Sequence, residues 1–360
     1  MALMRPKNGA CLRTFIPERR LLSCLLPFVL LFATAAQSQN SQLESLIKEG
    51  QSALDSGDFG RASSAFERAR QSAPDNLEVN RGLLLSYLQQ KRLQEAEAIG
   101  QSSAARWPRD AQLQHWLGLV YFKEGKYANA LDLLQRSERL DGSRSDIHFD
   151  AALVLLSEDQ YSGAADELEK AVKLGPKTAV AHLLLGRAYH NTNRTVQAIE
   201  QFQTALRLDP DIPLGHYHLG FAYASLGRNE QAIAEYKKEA ALAPDNPSVL
   251  YQLGHCLLEA GDLKSAVVHL KRASEIDPRN SDSFYDLGKA LLLGGDKESA
   301  VLALRRAAEL KPADPGPHYQ LARALEKAGR KDEAQQELLT FAALKKAQPV
   351  TGGMAAAPIQ

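Results

Sequence analysis

A 34-residue internal period runs through most of this chain. The segments HLLLGRAY, HYHLGFAY, LYQLGHCL, FYDLGKAL and HYQLARAL begin at positions 182, 216, 250, 284 and 318, which are equally spaced. Extending this register toward the N-terminus gives nine units that tile residues 43–348 without insertion, 306 of the 360 residues. A fixed period of this length is typical of a solenoid, in which each repeat packs on its neighbours.

Small residues and proline recur at fixed positions of the unit, which is numbered 1–34 from Leu43. Position 20 is alanine in all nine units, position 8 is glycine in six and position 32 is proline in seven. Small residues at positions 8 and 20 let two helices approach closely, and proline ends a helix because it has no N–H to donate. Position 15 is glycine, aspartate or asparagine in eight units, and these residues tolerate the left-handed backbone that closes a helix. The pattern therefore predicts two helices of about 14 residues per unit, joined by short turns.

These positions make the chain resemble the tetratricopeptide repeat (TPR) family, in the manner of an exported bacterial member, over 306 of 360 residues. The resemblance implies an all-α fold, an α-solenoid that winds as a right-handed superhelix of nine 34-residue helix-turn-helix units. The predicted units are 43–76, 77–110, 111–144, 145–178, 179–212, 213–246, 247–280, 281–314 and 315–348. Residues 37–42 are predicted to be a polar linker and residues 349–360 a flexible tail.

The first 36 residues differ from the repeats. Five basic residues and one acidic residue precede the apolar run LLSCLLPFVLLFATAA, residues 21–36, and the small residues at 33–35 offer a cleavage site. This order is typical of a secretory signal peptide, and the run of 16 residues is shorter than the ~20 of a membrane span. We predict an exported protein, periplasmic or secreted, with an inner-membrane anchor as the alternative if Leu21–Ala36 is retained.

Charge and cysteine content limit the functional classes. The chain has 43 basic and 43 acidic residues, so the clustered basic excess of a nucleic-acid-binding protein is missing from its sequence and no nucleic acid is expected as a partner. Cys256 is the one cysteine that follows the leader. It stands at position 10, where several units have alanine, which predicts a small buried slot; a catalytic thiolate would need a basic and partly open site.

The histidines of HYHLGFAY raise the question of a metal site. His216 stands at position 4 and His218 at position 6, about 200° apart around a helix, so the two cannot share a metal ion. His148, His182 and His318 also stand at position 4, and we interpret all four position-4 histidines as packed, hydrogen-bonded rings. Since the sequence carries no H-E-x-x-H, C-x-x-C or P-loop motif, we predict no metal site, no cofactor and no catalytic residue.

The resemblance also indicates where a partner would bind. In the TPR family, positions 2, 5, 9, 12 and 13 of each first helix line a concave face. In this sequence, the residues at those positions form an apolar zone in repeats 2–4 and a tyrosine-basic zone in repeats 5–9. The apolar zone contains Leu85, Leu119, Phe122, Phe149 and Leu153. The tyrosine-basic zone contains Arg187, Tyr217, Phe221, Tyr251, His255, Tyr285, Lys289, Tyr319 and Arg323, together with His190.

Such a surface suits an extended peptide or a partner helix, because tyrosine supplies contact area with a hydroxyl and arginine supplies charged hydrogen bonds. The alternative is that the rings mainly pack on neighbouring repeats. Chaperone-binding TPR proteins carry lysine at position 5 and asparagine at position 9, and no unit here has that pair. We therefore do not expect the tail of a chaperone to bind.

Three functions are compatible with the sequence. The first is a non-enzymatic scaffold for protein–protein interaction in cell-envelope or secretion-complex assembly. The second is a membrane-anchored assembly factor, and the third, less favoured, is an enzyme with a site on the concave face. In the last helix, Leu339 and Phe341 replace the charged and small residues of other units. They predict either self-association or a Phe341 that packs on its own helix pair.

Overall fold

The structure is a computed structural model that describes residues 39–347. The predicted signal peptide or anchor, 1–36, and the predicted tail, 349–360, lie outside the described residues. The first helix, α1, spans residues 39–55 and so begins within the predicted linker. Polar residues do not prevent a helix there: the Asn40 side chain donates to Glu44, four residues later, at 3.3 Å.

All regular structure within residues 39–347 is helical, which confirms the all-α solenoid prediction. Eighteen helices follow one another in nine pairs. After α1 they are α2 (Phe59–Ser72), α3 (Leu77–Gln89), α4 (Leu93–Arg106), α5 (Ala111–Lys123), α6 (Tyr127–Leu140), α7 (Ser145–Ser157), α8 (Tyr161–Leu174), α9 (Ala179–Asn191), α10 (Thr195–Leu208), α11 (Gly215–Ser225), α12 (Asn229–Leu242), α13 (Pro247–Glu259), α14 (Leu263–Ile276), α15 (Ser281–Gly294), α16 (Lys297–Leu310), α17 (Pro315–Lys327) and α18 (Lys331–Ala347).

The helix starts repeat with the period of the sequence. Every second helix of a pair, from α2 at Phe59 to α18 at Lys331, begins at position 17 of its unit. The first helices that follow α1 begin at position 1, except α11, which begins at Gly215 instead of Pro213. Leu214 before it has a left-handed backbone, and the buried carboxylate of Glu239 accepts from the amides of Leu214 and Tyr217 at 3.0 and 3.2 Å. Glu239 thus caps α11 from the neighbouring α12.

The side chain at position 34 caps most first helices. The Asn246 carboxamide oxygen accepts from the amides of Ser248 and Val249, and the Asp314 carboxylate accepts from the amide of Gly316. Similar caps at α3, α5, α9 and α15 come from Asn76, Asp110, Thr178 and Asn280. Such residues satisfy backbone donors that have no partner within the helix.

The turn inside each pair closes with a left-handed residue at position 15 in all nine repeats. Six are glycine, and Asp159 and Asn193 were expected from their residue type. The ninth is Lys91, with φ of 59°, which the sequence did not indicate. A lysine pays a steric cost in this region because its Cβ approaches the following carbonyl.

Glycine at position 8 allows the two helices of a pair to touch. A Cβ atom added to Gly254 would lie 2.6 Å from Cγ of Leu270, and one added to Gly186 would lie 2.5 Å from the Phe202 ring. Alanine at position 20 is buried in every repeat. The close approach predicted from positions 8 and 20 is therefore present.

The helices form two compact units that divide between residues 133 and 134, within α6. In the N-terminal unit, 39–133, the first helices α3 and α5 contact each other. In the C-terminal unit, 134–347, α9 contacts α11, α11 contacts α13, α13 contacts α15 and α15 contacts α17. First helices of successive repeats thus lie side by side in repeats 2–3 and in repeats 5–9. Across residues 39–347, no helix combines the length and the apolar character needed to cross a membrane.

Candidate functional site

Four tyrosines at position 5 form a ladder on the first helices of the C-terminal unit. They are Tyr217 on α11, Tyr251 on α13, Tyr285 on α15 and Tyr319 on α17, one in each successive repeat. Because residues four apart lie on one face of a helix, each ring meets the side chain at position 9 of its own helix. We call these eight side chains the tyrosine ladder; the position-9 members are Phe221, His255, Lys289 and Arg323.

Three of the four rungs pair an aromatic ring with a basic side chain. The rings of Tyr251 and His255 are 6.0 Å apart, and Lys289 Nζ lies 5.6 Å from the centre of the Tyr285 ring. The guanidinium carbon of Arg323 lies 6.0 Å from the Tyr319 ring. Cation–π contacts of this kind contribute about 0.5–1 kcal/mol at exposed sites. The fourth rung is apolar, with 6.4 Å between the rings of Tyr217 and Phe221.

The ladder tyrosines are partly packed and partly accessible. Tyr217, Tyr251 and Tyr285 are half-buried, whereas Tyr319 is 41% exposed. Burial raises the pKa of the Tyr217 phenol, and burial followed by the negative charges of Asp286 and Asp282 raises the pKa of Tyr251. Both phenols therefore stay neutral hydroxyl groups at physiological pH.

Two basic residues of the ladder already have acidic partners. His255 Nδ1 lies 2.8 Å from a carboxylate oxygen of Asp286, which is buried on the next first helix. This hydrogen bond is the largest cause that raises the pKa of His255. Lys289 Nζ lies 3.6 Å from Glu259 and 3.9 Å from Asp286. Neither acid was predicted from the sequence. Asp286 had a detectable signal, because it is an acid at position 6 and the residue at position 9 of the preceding repeat, His255, is basic.

The position-4 histidines are hydrogen-bonded within their own helix pairs. The Nδ1 atoms of His148, His182 and His318 each lie 2.7 Å from a side-chain oxygen on the second helix of the pair, and His216 Nδ1 lies 2.5 Å from Glu235. Each pair of helices is thereby tied through its histidine, in agreement with the interpretation of these rings as packed and hydrogen-bonded.

One group in residues 39–347 has the composition of a cation site. Carboxylate oxygens of Glu138 and Glu167 and a ring nitrogen of His148 lie within 4.8 Å of one another. Lys170 Nζ lies 2.8 Å from Glu138 and 3.0 Å from Glu167. The two carboxylates thus share a lysine cation, and the group is an ion-pair network that fastens α6, α7 and α8.

The repeat pattern and the helix pairs are matched by models of a single family. Family models described as tetratricopeptide repeat or TPR repeat match residues 47–111, 186–227, 223–287, 257–315 and 315–339. The chain is a tetratricopeptide repeat protein. A further model, for anaphase-promoting complex subunit 3, matches residues 102–171. TPR proteins mediate protein–protein interactions and are typically non-enzymatic.

Several solved structures are similar to this TPR chain. MamA from Desulfovibrio magneticus RS-1 is 21% identical, with 48% of this chain and 98% of that chain covered and a TM-score of 0.46. YrrB, described as a TPR protein with an unusual peptide-binding site, is 18% identical over 52% and 96% of the two chains, with a TM-score of 0.47. The APC/C hetero-tetramer Cut9–Hcn1 is 18% identical over 74% and 52%, with a TM-score of 0.49. No curated protein matches the sequence.

The predicted apolar zone of the TPR chain is divided between the two units. Leu85, Leu119 and Phe122 are half-buried in the N-terminal unit, and Phe149 and Leu153 are half-buried in the C-terminal unit. Leu85 lines a cavity of about 710 Å³ whose other walls include Arg81 and Trp116. The Arg81 guanidinium donates to Asp110 at 3.1 Å, so this cation is neutralised within the chain. A continuous apolar zone stays a prediction.

A second groove in the TPR chain lies among α14, α15 and α16. Its volume is about 480 Å³, and its walls include Val267, Phe284, Leu291 and Leu302. Leu302 is 68% exposed. Most of its walls belong to second helices, whereas the concave-face positions of the family lie on first helices.

Cys256 is buried, and burial raises the pKa of its thiol to about 11, so the thiol is protonated at neutral pH.

In α18 the Phe341 ring packs 5.1 Å from the Tyr319 ring of the same helix pair. Leu339 remains 62% exposed. Self-association through Leu339 and Phe341 stays a prediction.

Proposed function

We propose that this TPR protein is a non-enzymatic scaffold that holds an extended peptide or a partner subunit against the first helices of repeats 5–9. The tyrosine ladder is the observation that carries the proposal. Four aromatic rungs recur at one position on adjacent helices, and each has a position-9 side chain one turn away. Tyrosine and arginine are enriched among the residues that dominate binding energy at interfaces.

The ladder has the physical character of a binding surface. Its rings are held by packing on one side. Binding of a ligand would therefore cost little side-chain entropy in the tyrosines. Its cations lie beside the rings, where an extended chain could receive stacking contacts and charged hydrogen bonds together. Regular spacing along a row of helices suits a ligand that is itself extended.

We propose in addition that the partner belongs to a cell-envelope or secretion complex. The support is the predicted signal peptide at residues 1–36. If Leu21–Ala36 is retained, the same scaffold acts as a membrane-anchored assembly factor. N-terminal sequencing of the protein recovered from its host separates the two, because a cleaved protein begins just after the small residues at 33–35 and an anchored one begins at or near Met1.

An enzyme is the less favoured alternative. His255 and Asp286 form an acid–histidine pair of the kind that activates a nucleophile. Cys256, the adjacent residue in sequence, is buried and its thiol is protonated. The pair is better explained as a link between α13 and α15.

The proposal is tested by comparing two variants in partner capture from envelope extract. The ladder variant combines Tyr251→Ala, Tyr285→Ala and Arg323→Ala. It should no longer retain a protein that the wild-type chain retains, and its circular dichroism spectrum should be unchanged. A matched control, Val268→Ala with Leu302→Ala on second helices, should keep it. Retention by the ladder variant at equal helix content would contradict the proposal and move the site to repeats 2–4 or to the α14–α16 groove.

A further inference from the structure

Three basic side chains in repeats 5 and 6 have buried nitrogen atoms without partners. Arg187 Nε and His190 Nδ1 belong to α9, and His218 Nδ1 belongs to α11. Within residues 39–347, none of these atoms has a hydrogen-bond partner, and the Arg187 side chain makes no ion pair. Buried polar atoms in folded proteins are nearly always paired, with protein groups or with ordered water, so these three nitrogens are open to a partner from outside the chain.

Arg187 and His190 lie near enough to His218 for their charges to act on it, and aromatic rings flank both histidines. Burial, and then the positive charges of Arg187 and His190, lower the pKa of His218 to about 3. The His218 ring is 3% exposed and lies 5.7 Å from the Phe202 ring and 5.5 Å from the Tyr217 ring. The His190 ring lies edge-on to Phe221 at 5.3 Å.

Residues at the start of α8 do not supply the missing acid. The charge of Arg187 acts on the Tyr161 hydroxyl, which itself donates to Asp159 at 2.5 Å. Asp159 accepts this hydrogen bond from Tyr161, and it makes no ion pair with Arg187.

Repeats 7 and 8 show what completes such an arrangement. There, position 9 is His255 and position 6 of the next repeat is Asp286, and the two form a 2.8 Å hydrogen bond. Arg187 and His218 stand at the same two positions of repeats 5 and 6. A buried histidine thus occupies the place of the buried acid, and the described part of the chain pairs no negative charge with Arg187.

We infer that Arg187, His190 and His218 form a subsite for one carboxylate side chain of an acidic peptide. The inference rests on the proposed function. It names the chemical group that repeats 5 and 6 recognise within the proposed binding surface of repeats 5–9. Arginine Nε always carries a hydrogen, and each neutral imidazole can present Nδ1–H as a second donor. A carboxylate accepts several such bonds, and those from a guanidinium are charge-assisted.

The charge balance favours a carboxylate over a phosphate. Burial lowers the pKa of His190 as well as that of His218, so both rings are neutral at physiological pH. Arg187 is then the one cation among these three side chains, and one carboxylate neutralises it. A phosphate monoester would bring about two negative charges into the same partly buried place.

A capped hexaglutamate peptide, acetylated and amidated so that its side chains are its only carboxylates, is the probe. Isothermal titration at low salt with the full chain should show binding of hexaglutamate and none of hexaglutamine. Histidine Cε1–H NMR signals of His190 and His218 should shift on addition, while that of His148, tied to Glu167, should not. Arg187→Gln should weaken binding at least about tenfold, because a charge-assisted bond is lost.

Arg207→Gln is the matched control, since Arg207 is an exposed arginine of the same repeat and lies on second helix α10, outside the tyrosine ladder. It should change hexaglutamate affinity less than about twofold, as expected for an exposed charge. If Arg187→Gln lowers the melting temperature, Arg187→Lys keeps the charge while it removes the Nε donor, and it should still weaken binding. Equal losses in both Gln variants, or no binding by the wild-type chain at millimolar peptide, would overturn the inference.

Displacement of hexaglutamate by inorganic phosphate at submillimolar concentration would also overturn it, because the site would then belong to a free anion. The result is separable from the proposed function. Loss of partner capture in the ladder variant, together with no hexaglutamate binding, would refute the carboxylate subsite and leave the scaffold proposal standing.

Discussion

His255 Nδ1 and Asp286 Oδ2 lie 2.8 Å apart, although they belong to successive repeats. The contact joins the first helices of repeats 7 and 8 at the tyrosine ladder. Because Asp286 stabilises the protonated ring, it raises the pKa of His255 above that of a histidine in the unfolded chain. The stabilisation is fully present below the unfolded value of ~6.5 and is lost as pH rises through the folded pKa.

An NMR pH titration of His255 tests this coupling. The wild-type ring should titrate above ~6.5, and Asp286→Asn should bring its midpoint down, because the negative charge is gone. His190, whose pKa burial lowers, is the internal control and should not move. A His255 midpoint that is unchanged by Asp286→Asn would show that the hydrogen bond does not form in solution.

Lys91→Gly should stabilise the protein by about 0.5–1 kcal/mol, because glycine adopts the left-handed backbone of position 15 without steric cost. Urea unfolding measures the change. The reciprocal variant Gly125→Lys, at the same position one repeat later, should destabilise by a similar amount. If Lys91→Gly lowers stability, the lysine side chain contributes more than its backbone strain costs.

Gly254→Ala should lower the free energy of unfolding by about 1–3 kcal/mol, because the added methyl group would meet Leu270 at 2.6 Å. Gly261→Ala is the matched comparison in the same repeat. No atom lies within 4 Å of its added Cβ, so its cost of about 1–2 kcal/mol arises from φ of 83° alone. Leu270→Ala should cost less stability in the Gly254→Ala background than in the wild-type chain, and the same amount in the Gly261→Ala background. An equal cost in all three backgrounds would disprove the steric explanation.

The fold was predictable because its determinants repeat. Alanine at position 20, glycine at position 8 and proline at position 32 recur often enough to place the starts of almost all helices, and Tyr251 and Tyr285 fall on the expected face. Features that occur once were not predictable. Lys91 adopts a left-handed backbone because the short turn between α3 and α4 requires one whatever residue stands there, and Glu239 caps α11 because one irregular start left two amides unpaired.

The contacts of the site depend on which side chains meet across repeats. Position 6 is a different residue type in most units, so neither the acid at Asp286 nor the histidine at His218 follows from the family pattern. Their roles emerge only when position 9 of the preceding repeat is placed beside them. The sequence identified Arg187 as a surface residue of the site, and the structure adds that its Nε atom has no partner in residues 39–347.

Leu339→Lys with Phe341→Ser tests the last repeat. If the exposed Leu339 edge pairs two chains, sedimentation of the wild-type chain should show dimers at high concentration and the variant should be monomeric. Phe341→Ser alone should lower the melting temperature, because the ring packs on Tyr319. A wild-type chain that is monomeric at every concentration would leave packing on its own helix pair as the only role of Phe341.

The most direct test of the scaffold proposal is photo-crosslinking from the ladder in the protein's own host. A photoreactive benzoylphenylalanine replaces Tyr285, on first helix α15, or Leu302, on second helix α16, in the full chain. Tyr285 is half-buried and Leu302 is exposed, and the two lie on the first and the second helix of the same repeat. The account predicts one discrete adduct from position 285, lost on adding Tyr251→Ala and Arg323→Ala, and none from position 302. An adduct from position 302 alone, or none from either position, would contradict it.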